Sequence, residues 1–239
     1  MAQPASRSTS VENYLKEIYS LGERDDRPVT TSRLSERLGL SASSVSGMLR
    51  KLAVQGLVDH RPYSDVALTG LGRAAALQIV RRHRLIEMFL VAQLGYSWDE
   101  VDEEAESMEH GVSDLMVQRM DAALGRPRYD PHGDPIPSID GELPPMNAQR
   151  LINVAPGHTG RLVRVDDDDP AGLRHLSEAG IQLGHKVKLV NQLPFHGPYI
   201  VEINDGDTHQ LGPTLAEALW IEQRMSCSTD RAGHAPSPS

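Results

Sequence analysis

The spacing of hydrophobic residues divides the chain into three parts. From near the start to about Leu124, apolar residues recur every three to four positions, which predicts helices. The stretch 126–146 then contains six prolines, a density that neither a helix nor a central strand tolerates. Short alternating runs at 160–165, 185–190 and 198–203 follow, separated by Gly, Asp and Pro. These runs predict the strands of a small SH3-like β-barrel.

Two short helices joined by a tight turn are predicted in the first part of the chain. Thr31 or Ser32 is expected to cap the first helix, which stops at Gly39. Ser41 is expected to cap the second helix, which Gly56 closes. The sequence LVDHRPYSDVALT follows and predicts a hairpin. Helix, turn, helix and hairpin in this order indicate a winged helix-turn-helix.

The second of these helices has an apolar side and a polar side. Val45, Met48, Leu49 and Leu52 recur at helical spacing and should face the core. Small hydroxyl residues at a helix start allow a close approach to phosphates and base edges, and basic side chains neutralise phosphate. The candidate DNA-binding residues are Ser41, Ser43, Ser44, Ser46, Arg50 and Lys51, with Arg61 near the turn of the hairpin. A packing motif with ordinary serine caps is the alternative, and the order of elements favours DNA binding.

Charge is distributed unevenly along the chain. The whole chain has 24 basic and 33 acidic residues and a formal net charge of -9. Residues 28–63 carry five basic against two acidic residues, whereas residues 99–142 carry three basic against 13 acidic residues. The acidic middle is either a solvated face or a cation-binding region, and the basic front end suits a polyanion.

Several classes of protein are disfavoured by composition. No run approaches the roughly 20 consecutive apolar residues of a membrane span, and the start MAQPASRSTS lacks the order of a secretory signal. The single Cys227 allows no internal disulfide and no thiolate metal cage. We therefore expect a cytoplasmic protein that does not associate with a membrane.

A helix predicted at 101–116 presents metal-ligating side chains along one stripe. Asp102, Glu106, Glu109 and His110 stand at positions i, i+4, i+7 and i+8, which lie on one face of a helix. The neighbouring stripe is apolar and should face the core; it consists of Val101, Ala105, Met108, Val112 and Leu115. Carboxylates gathered beside buried surface repel one another unless a cation compensates them.

The preceding helix offers a second pair of ligands. His83 and Glu87 are i, i+4 partners, so two helices together supply the oxygen and nitrogen donors that Mn(II) or Fe(II) prefers. The alternative is an ordinary glutamate-rich surface helix. The spacing Glu-x-x-His of di-iron enzymes and the spacing His-Glu-x-x-His of zinc proteases are both missing from the sequence, and nothing in it resembles a catalytic triad.

Several segments together resemble the diphtheria-toxin-repressor type of metal-dependent transcriptional regulators, which includes iron-dependent and manganese-transport regulators. The resemblance covers roughly residues 11–222. VENYLKEIYSL is similar to the family's first helix, and SASSVSGMLRKLAVQGLV to its recognition helix. VRRHRLIEMFL and EAESMEHGVSD are similar to its metal-binding and dimerisation helices, DPHGDPIP to its Pro-rich junction, and the final segment to its SH3-like domain.

The resemblance implies two sets of metal ligands. The primary set falls on Asn13, Glu106, Glu109 and His110, and the second set on His83, Glu87 and Asp102. Iron-responsive members of the family have Met and Cys where this chain has Asn13 and Glu106, and manganese members have an acid at each, so Glu106 follows the manganese pattern.

Other positions depart from the family pattern. Lys16 stands where some manganese members place another acid, and Asp102 replaces a frequent His. Glu12 or Glu17 is an alternative source of the first-helix acid. Asp169, in a run of four aspartates, is a further candidate ligand, and a solvated turn is the ordinary interpretation of such a run.

These observations predict a mainly α protein. The expected parts are a winged helix-turn-helix at 1–72, a helical metal-binding and dimerisation domain at 73–146, an SH3-like β-barrel at 147–224 and a disordered tail at 225–239. The expected function is a non-enzymatic, homodimeric repressor that binds double-stranded operator DNA when Mn(II) is bound. The alternatives are an Fe(II)-dependent regulator and a metal-binding module that recruits another protein.

Overall fold

A computed structural model of the chain describes residues 8–24, 27–60 and 65–222. It divides into two compact units with a boundary between Met146 and Asn147. The candidate DNA-binding residue Arg61 and the single Cys227 lie outside the described residues. Among the helices that are described, none is long and apolar enough to cross a membrane.

The first unit consists of helices and one small hairpin. Its helices are α1 (Thr9–Arg24), α2 (Thr31–Leu38), α3 (Ala42–Val54), α4 (Gly70–Phe89), α5 (Val101–Met108) and α6 (Asp114–Ala123), with a π-helical turn at Leu90–Leu94. Strands β1 (Val58–His60) and β2 (Val66–Leu68) pair antiparallel, as expected for a wing. The predicted order of helix, turn, helix and hairpin is confirmed.

Side-chain caps define the two helices of the helix-turn-helix. Ser41 caps α3 as predicted, because its side chain accepts a hydrogen bond from the Ser44 amide at 3.2 Å. The predicted cap of α2 is wrong, since Thr30 fills that place and accepts from the Arg33 amide. An N-cap residue needs an extended backbone, which Thr30 has, whereas Thr31 is already helical.

Helix α1 belongs to the core of the DNA-binding part. Its Leu15 and Ile18 are buried in one hydrophobic cluster with Leu49 and Leu52 of α3 and Ala76 of α4. The predicted inward side of α3 is therefore confirmed. Burial of each such side chain contributes about 1.5–3 kcal/mol, so α1 and α3 are held in one packed body.

The predicted helix 101–116 is in fact two helices. α5 ends one residue before Glu109, and Ser113 caps α6 by accepting a hydrogen bond from the backbone amide three residues later. Gly111, a weak helix former, lies in the turn between them. Because the turn redirects the chain, Leu115 is 58% exposed instead of facing the core.

The rest of the apolar stripe lies as predicted. Val101 and Ala105 are buried with Ile86 of α4, and Met108 and Val112 pack against this cluster. The Pro-rich segment that follows α6 forms neither a helix nor one of the named strands, in agreement with its proline content. Its central part, residues 132–137, is buried.

The second unit is a six-stranded antiparallel sheet with two short helices. The strands are β3 (Ala148–Arg150), β4 (Thr159–Val165), β5 (Lys186–Gln192), β6 (Tyr199–Ile203), β7 (Asp207–Leu211) and β8 (Leu219–Glu222), in the spatial order β3-β8-β4-β5-β6-β7. The helices are α7 (Pro170–Glu178) and α8 (Pro213–Ala218). The three predicted strands coincide with β4, β5 and β6, and the fold is SH3-like. Asp169 caps α7 by accepting from the Ala171 amide at 3.0 Å, a role that needs no metal.

Candidate metal centre

His83 lies at the centre of a group of carboxylates contributed by α4 and the α5 segment. Its Nδ1 donates to Glu109 Oε2 at 2.8 Å, and its Nε2 donates to Asp102 Oδ1 at 3.2 Å. Glu87, one turn further along α4, has its Oε1 3.5 Å from the same Nε2. The structure therefore brings together the three residues of the predicted second ligand set and joins them to Glu109 of the first.

Lys16 of α1 enters the same group from the other side. Its Nζ is 3.1 Å from both carboxylate oxygens of Glu109 and forms an ion pair with Glu106. The residue is only 7% exposed. Sequence reasoning noted Lys16 as a departure from the family pattern, and the structure places its ammonium directly on two predicted metal ligands.

His110 is oriented by a carboxylate of α1. Its Nδ1 donates to Glu12 Oε2 at 2.9 Å, which leaves Nε2 as the nitrogen with a lone pair. That buried Nε2 has no hydrogen-bond partner among the described residues and lies 3.4 Å from Glu109 Oε1. A histidine that ligates a metal almost always donates its other ring N–H to such an acceptor, so Glu12 fits the role of orienting partner.

The other residues of α1 separate into two groups. The side-chain oxygen of Asn13 is buried and lacks a hydrogen-bond partner in the described part of the chain. Glu17, the alternative source of a first-helix acid, instead pairs with Arg37 of α2 at 2.9 Å. Of the two alternatives, Glu12 is therefore the one that reaches the predicted site.

The close packing of these groups shifts the pKa values of Lys16, His83 and Glu109. Burial by itself opposes the charged forms of Lys16 and His83, but the neighbouring carboxylates outweigh it and raise the pKa of each. Burial likewise opposes ionisation of Glu109, but a hydrogen bond from His83 and the charge of Lys16 hold its pKa below the ordinary value. The carboxyl groups of Glu87, Asp102, Glu106 and Glu109 thus surround the two basic side chains of Lys16 and His83.

These residues fit a divalent cation on three grounds. His83, Glu106 and Glu109 offer ligand atoms that all lie within 4.8 Å of one another, and so do His83, Glu87 and Asp102. Both carboxylate oxygens of Glu87 are buried without a hydrogen-bond partner among the described residues, like Asn13 Oδ1 and His110 Nε2. The donors are oxygen and imidazole nitrogen, which suit Mn(II) and Fe(II). Use of either His83 nitrogen by an ion requires release of a proton.

Sequence reasoning missed His132 in the Pro-rich segment. This residue is fully buried, its Nε2 donates to the Trp98 carbonyl at 2.6 Å, and its Nδ1 is 3.6 Å from Glu87 Oε1. Helical spacing cannot reveal a ligand from an irregular segment. The only available signal was a histidine between two aspartates in DPHGD.

Arg84, next to His83 on α4, ties this segment to α1. It donates to Glu23 at 2.8 Å and to the Pro135 carbonyl at 2.7 Å, and it lies 3.5 Å from both Asp130 and Asp134. Burial, followed by the charges of Asp134 and Glu87, raises the pKa of Asp130 well above its ordinary value. Asp130 and Asp134 thus lie close enough to repel each other, and the Arg84 guanidinium beside them offsets this repulsion.

The predicted DNA-binding residues of α3 lie on its outer side. Ser41, Ser43, Ser44, Arg50 and Lys51 are exposed, whereas Ser46 is half-buried. The hydroxyl of Ser41 lies 2.9 Å from each of the hydroxyls of Ser43 and Ser44, in addition to its capping role. No atom lies within 4 Å of a Cβ placed on Gly47, so the middle of this face is open to a close partner.

A helix-turn-helix joined to an acidic, histidine-containing centre defines the class of a DNA-binding regulator under metal control. Known proteins support this class along the chain. The family models that match describe the N-terminal DNA binding domain of iron dependent repressors (7–66), their metal binding and dimerisation domain (69–138) and a FeoA domain (149–223).

Individual relatives agree with these models. The diphtheria toxin repressor of Corynebacterium glutamicum is 30% identical over 90% of this chain and 96% of its own length. The iron-dependent repressor IdeR of Mycobacterium tuberculosis is 36% identical over 54% of this chain and 56% of its own. A solved manganese-dependent transcriptional repressor in complex with manganese is 47% identical, with a TM-score of 0.85 over 89% of this chain and 99% of that one. The chain belongs to the diphtheria toxin repressor family of metal-dependent transcriptional repressors, which are DNA-binding regulators and not enzymes.

The Arg84 contacts generate a prediction about stability. Arg84→Met should lower the free energy of unfolding by about 3–5 kcal/mol, because it leaves buried carboxylates without their partner. Arg82→Met is the matched control, since Arg82 pairs with Asp114, whose side chain is 79% exposed. That control should lose less than about 1 kcal/mol. Urea unfolding followed by circular dichroism measures both, and equal midpoints for the two variants would contradict the assignment.

Proposed function

We propose that this chain is a homodimeric repressor that binds operator DNA when Mn(II) is bound between α1 and the α5 segment. In this proposal residues 1–72 bind DNA, 73–146 hold metal and form the dimer, and 147–224 form the SH3-like domain. The observation that carries it is a cluster of donor atoms: those of His83, Glu106 and Glu109 lie within 4.8 Å of one another, and His110 Nε2 lies 3.4 Å from Glu109. The buried oxygen of Asn13, which has no hydrogen-bond partner among the described residues, adds support from α1. Because a repressor acts where its operator DNA lies, the proposed location of the protein is the cytoplasm.

The first helix is the mechanical link in this proposal. Glu12 accepts a hydrogen bond from the His110 ring. Asn13 has a buried side-chain oxygen without a hydrogen-bond partner among the described residues, so this oxygen is available to an ion. When bound, Mn(II) would add two positive charges to this group of carboxylates. Because α1 shares one core with α3, a preferred position of α1 at the metal centre selects a position of the recognition helix. The free energy available for repression is the difference in metal affinity between the two arrangements.

A second ion position is part of the proposal. His83, Glu87 and Asp102 supply it, and His132 is added because its Nδ1 faces Glu87. The buried and unbonded oxygens of Glu87 support this position independently of the first.

The dimer is supported by exposed aliphatic side chains of the helical part. Leu94, Leu115 and Met116 are 61%, 58% and 44% exposed, and Leu115 and Met116 are adjacent at the start of α6. Large apolar side chains grouped at a surface commonly mark an interface.

The choice of manganese rests on Glu106. A thiolate at this position would favour softer ions, whereas a carboxylate keeps every donor hard or intermediate. The 47% identical structure with manganese supports this choice. The second candidate is an Fe(II)-dependent regulator, which the similarity to iron-dependent repressors favours.

The proposed metal ligands can be tested by truncation. Glu109→Ala or His110→Ala should abolish the stimulation of operator binding by Mn(II) while leaving a folded protein, since the apolar side of α5 is unchanged. Glu103→Ala, which removes an exposed acid of α5 outside the proposed ligand set, is the matched control and should respond like the wild type. Electrophoretic mobility shifts over a Mn(II) titration provide the measurement. A wild-type response in both ligand variants would show that the site is wrongly assigned.

The DNA-binding face predicts a salt dependence. Arg50→Ala or Lys51→Ala should weaken binding to all sequences and reduce the slope of log K against log salt by about one unit, because each removes one phosphate contact. Arg119→Ala, an exposed cation on α6, should leave the slope unchanged. If neither α3 variant changes the slope, these residues do not contact phosphate.

Metal preference can be changed at one position. Wild type should respond to Mn(II) at lower concentrations than to Fe(II), and Glu106→Cys should shift the response toward Fe(II), Co(II) or Zn(II), because sulfur favours softer ions. Anaerobic titrations of operator binding with each ion provide the test. A wild type that prefers Fe(II), or a variant with an unchanged order, would transfer support to the iron-dependent candidate.

A further inference from the structure

Lys16 is a buried cation in the middle of the proposed ligands. It is 7% exposed, and its ammonium contacts Glu106 and both oxygens of Glu109. It extends from α1, the helix that also carries Glu12 and Asn13. A structural lysine of the same helix could pair with a single acid at the surface; this one instead takes two acids that belong to the metal site.

The oxygens that Lys16 contacts are the same oxygens that a divalent ion would need. Glu109 has only two carboxylate oxygens, and the ammonium lies at equal distance from both. A divalent ion bound to these oxygens would stand beside a positive charge in a largely buried site, where water screens repulsion poorly. The ammonium is strongly hydrated and sits on a flexible stem, so it can leave the site without movement of its backbone.

We propose that Lys16 is a tethered competitor for the metal, whose ammonium must be displaced from Glu106 and Glu109 before a divalent ion binds there. It compensates the buried carboxylates when no ion is bound and thereby sets the concentration of metal at which the protein responds. The inference rests on the proposed function for the identity of the ligands. It adds a residue that sets the metal concentration needed for a response, and it does not change the proposed set of metal ligands.

Competition of this kind has a signature that a purely structural lysine lacks. Without the ammonium, the ion no longer has to displace a bound cation, so the affinity for Mn(II) rises. The metal-free protein simultaneously loses a buried ion pair with Glu109 and a partly buried one with Glu106, and it becomes less stable. Removal of a lysine that only supports the fold would lower both the affinity for Mn(II) and the stability of the metal-free protein.

The experiment compares the full chain with Lys16→Met, a neutral side chain of similar length, and with Lys188→Met as the matched control. Lys188 pairs with Glu202 in the second unit and is not part of the metal centre. Lys16→Gln, which keeps a polar end, is measured in parallel. Binding is followed by the electron paramagnetic resonance signal of free Mn(II), and stability by thermal unfolding in excess chelator.

We expect Lys16→Met to bind Mn(II) at least tenfold more tightly than wild type and to melt at a lower temperature in chelator. Lys16→Gln should lie between wild type and Lys16→Met in both affinity and melting temperature. Lys188→Met should match wild type in affinity. Unchanged or weaker Mn(II) binding in the folded Lys16 variants would overturn the proposal.

A Glu109→Ala sample separates this inference from the proposed function. If Glu109→Ala loses Mn(II) binding while the Lys16 variants bind like wild type, the site stands and the competition is refuted. If Glu109→Ala binds Mn(II) like wild type, the ligand assignment and the competition both fail.

Discussion

Compensation of buried carboxylates is the constraint on which the first unit depends. Glu87 and Glu109 are almost completely inaccessible, and Asp102 and Glu106 border them. An ionised carboxylate cannot stay in such a place unless cations or hydrogen-bond donors surround it. Lys16 from α1 and His83 from α4 meet part of this demand, and in the proposed function a divalent ion adds further positive charge.

The position of α1 gives this local electrostatic problem its functional reach. One side of α1 contributes apolar residues to the core that holds the recognition helix, while Glu12 contacts His110 and Lys16 contacts Glu109. An interaction that moves or fixes α1 therefore acts on α3 through packed side chains. In the proposed function, the small hydroxyl residues and Gly47 on the outer side of α3 allow DNA to approach this helix closely.

Periodic features of the sequence predicted periodic parts of the structure. The apolar spacing of α3, the Ser41 cap and the alternating strands of the second unit are all local signals, and they appear where expected. The break after α5 is not predicted because the acidic stripe continues through it at helical spacing. Ser113 caps α6 by accepting a hydrogen bond from the Met116 amide in its first turn. The cap of α2 is Thr30, one residue before the nearer of the two predicted positions. The cap is set by the residue whose backbone is extended, and three hydroxyl residues in a row do not reveal which one that is.

The candidate site was only partly predictable because it is built from distant segments. Two helices with ligands at helical spacing could be recognised, but pairing of Lys16 with residues about 90 positions away depends on the tertiary fold. The same holds for Glu12 beside His110, and for His132, which an irregular segment delivers to Glu87. Resemblance to a known family supplied Asn13, which no spacing rule would have selected.

In the proposed function, one divalent ion joins α1 to Glu106, Glu109 and His110. Crystals of the full chain grown with Mn(II), with diffraction data collected on both sides of the manganese absorption edge, would locate this ion. We expect an anomalous peak at a manganese ion bonded to Glu106, Glu109, His110 Nε2 and Asn13 Oδ1, with the Lys16 ammonium moved away from the carboxylates. A fully occupied manganese peak elsewhere, with the Lys16–Glu109 contact intact, would show that no ion joins these residues.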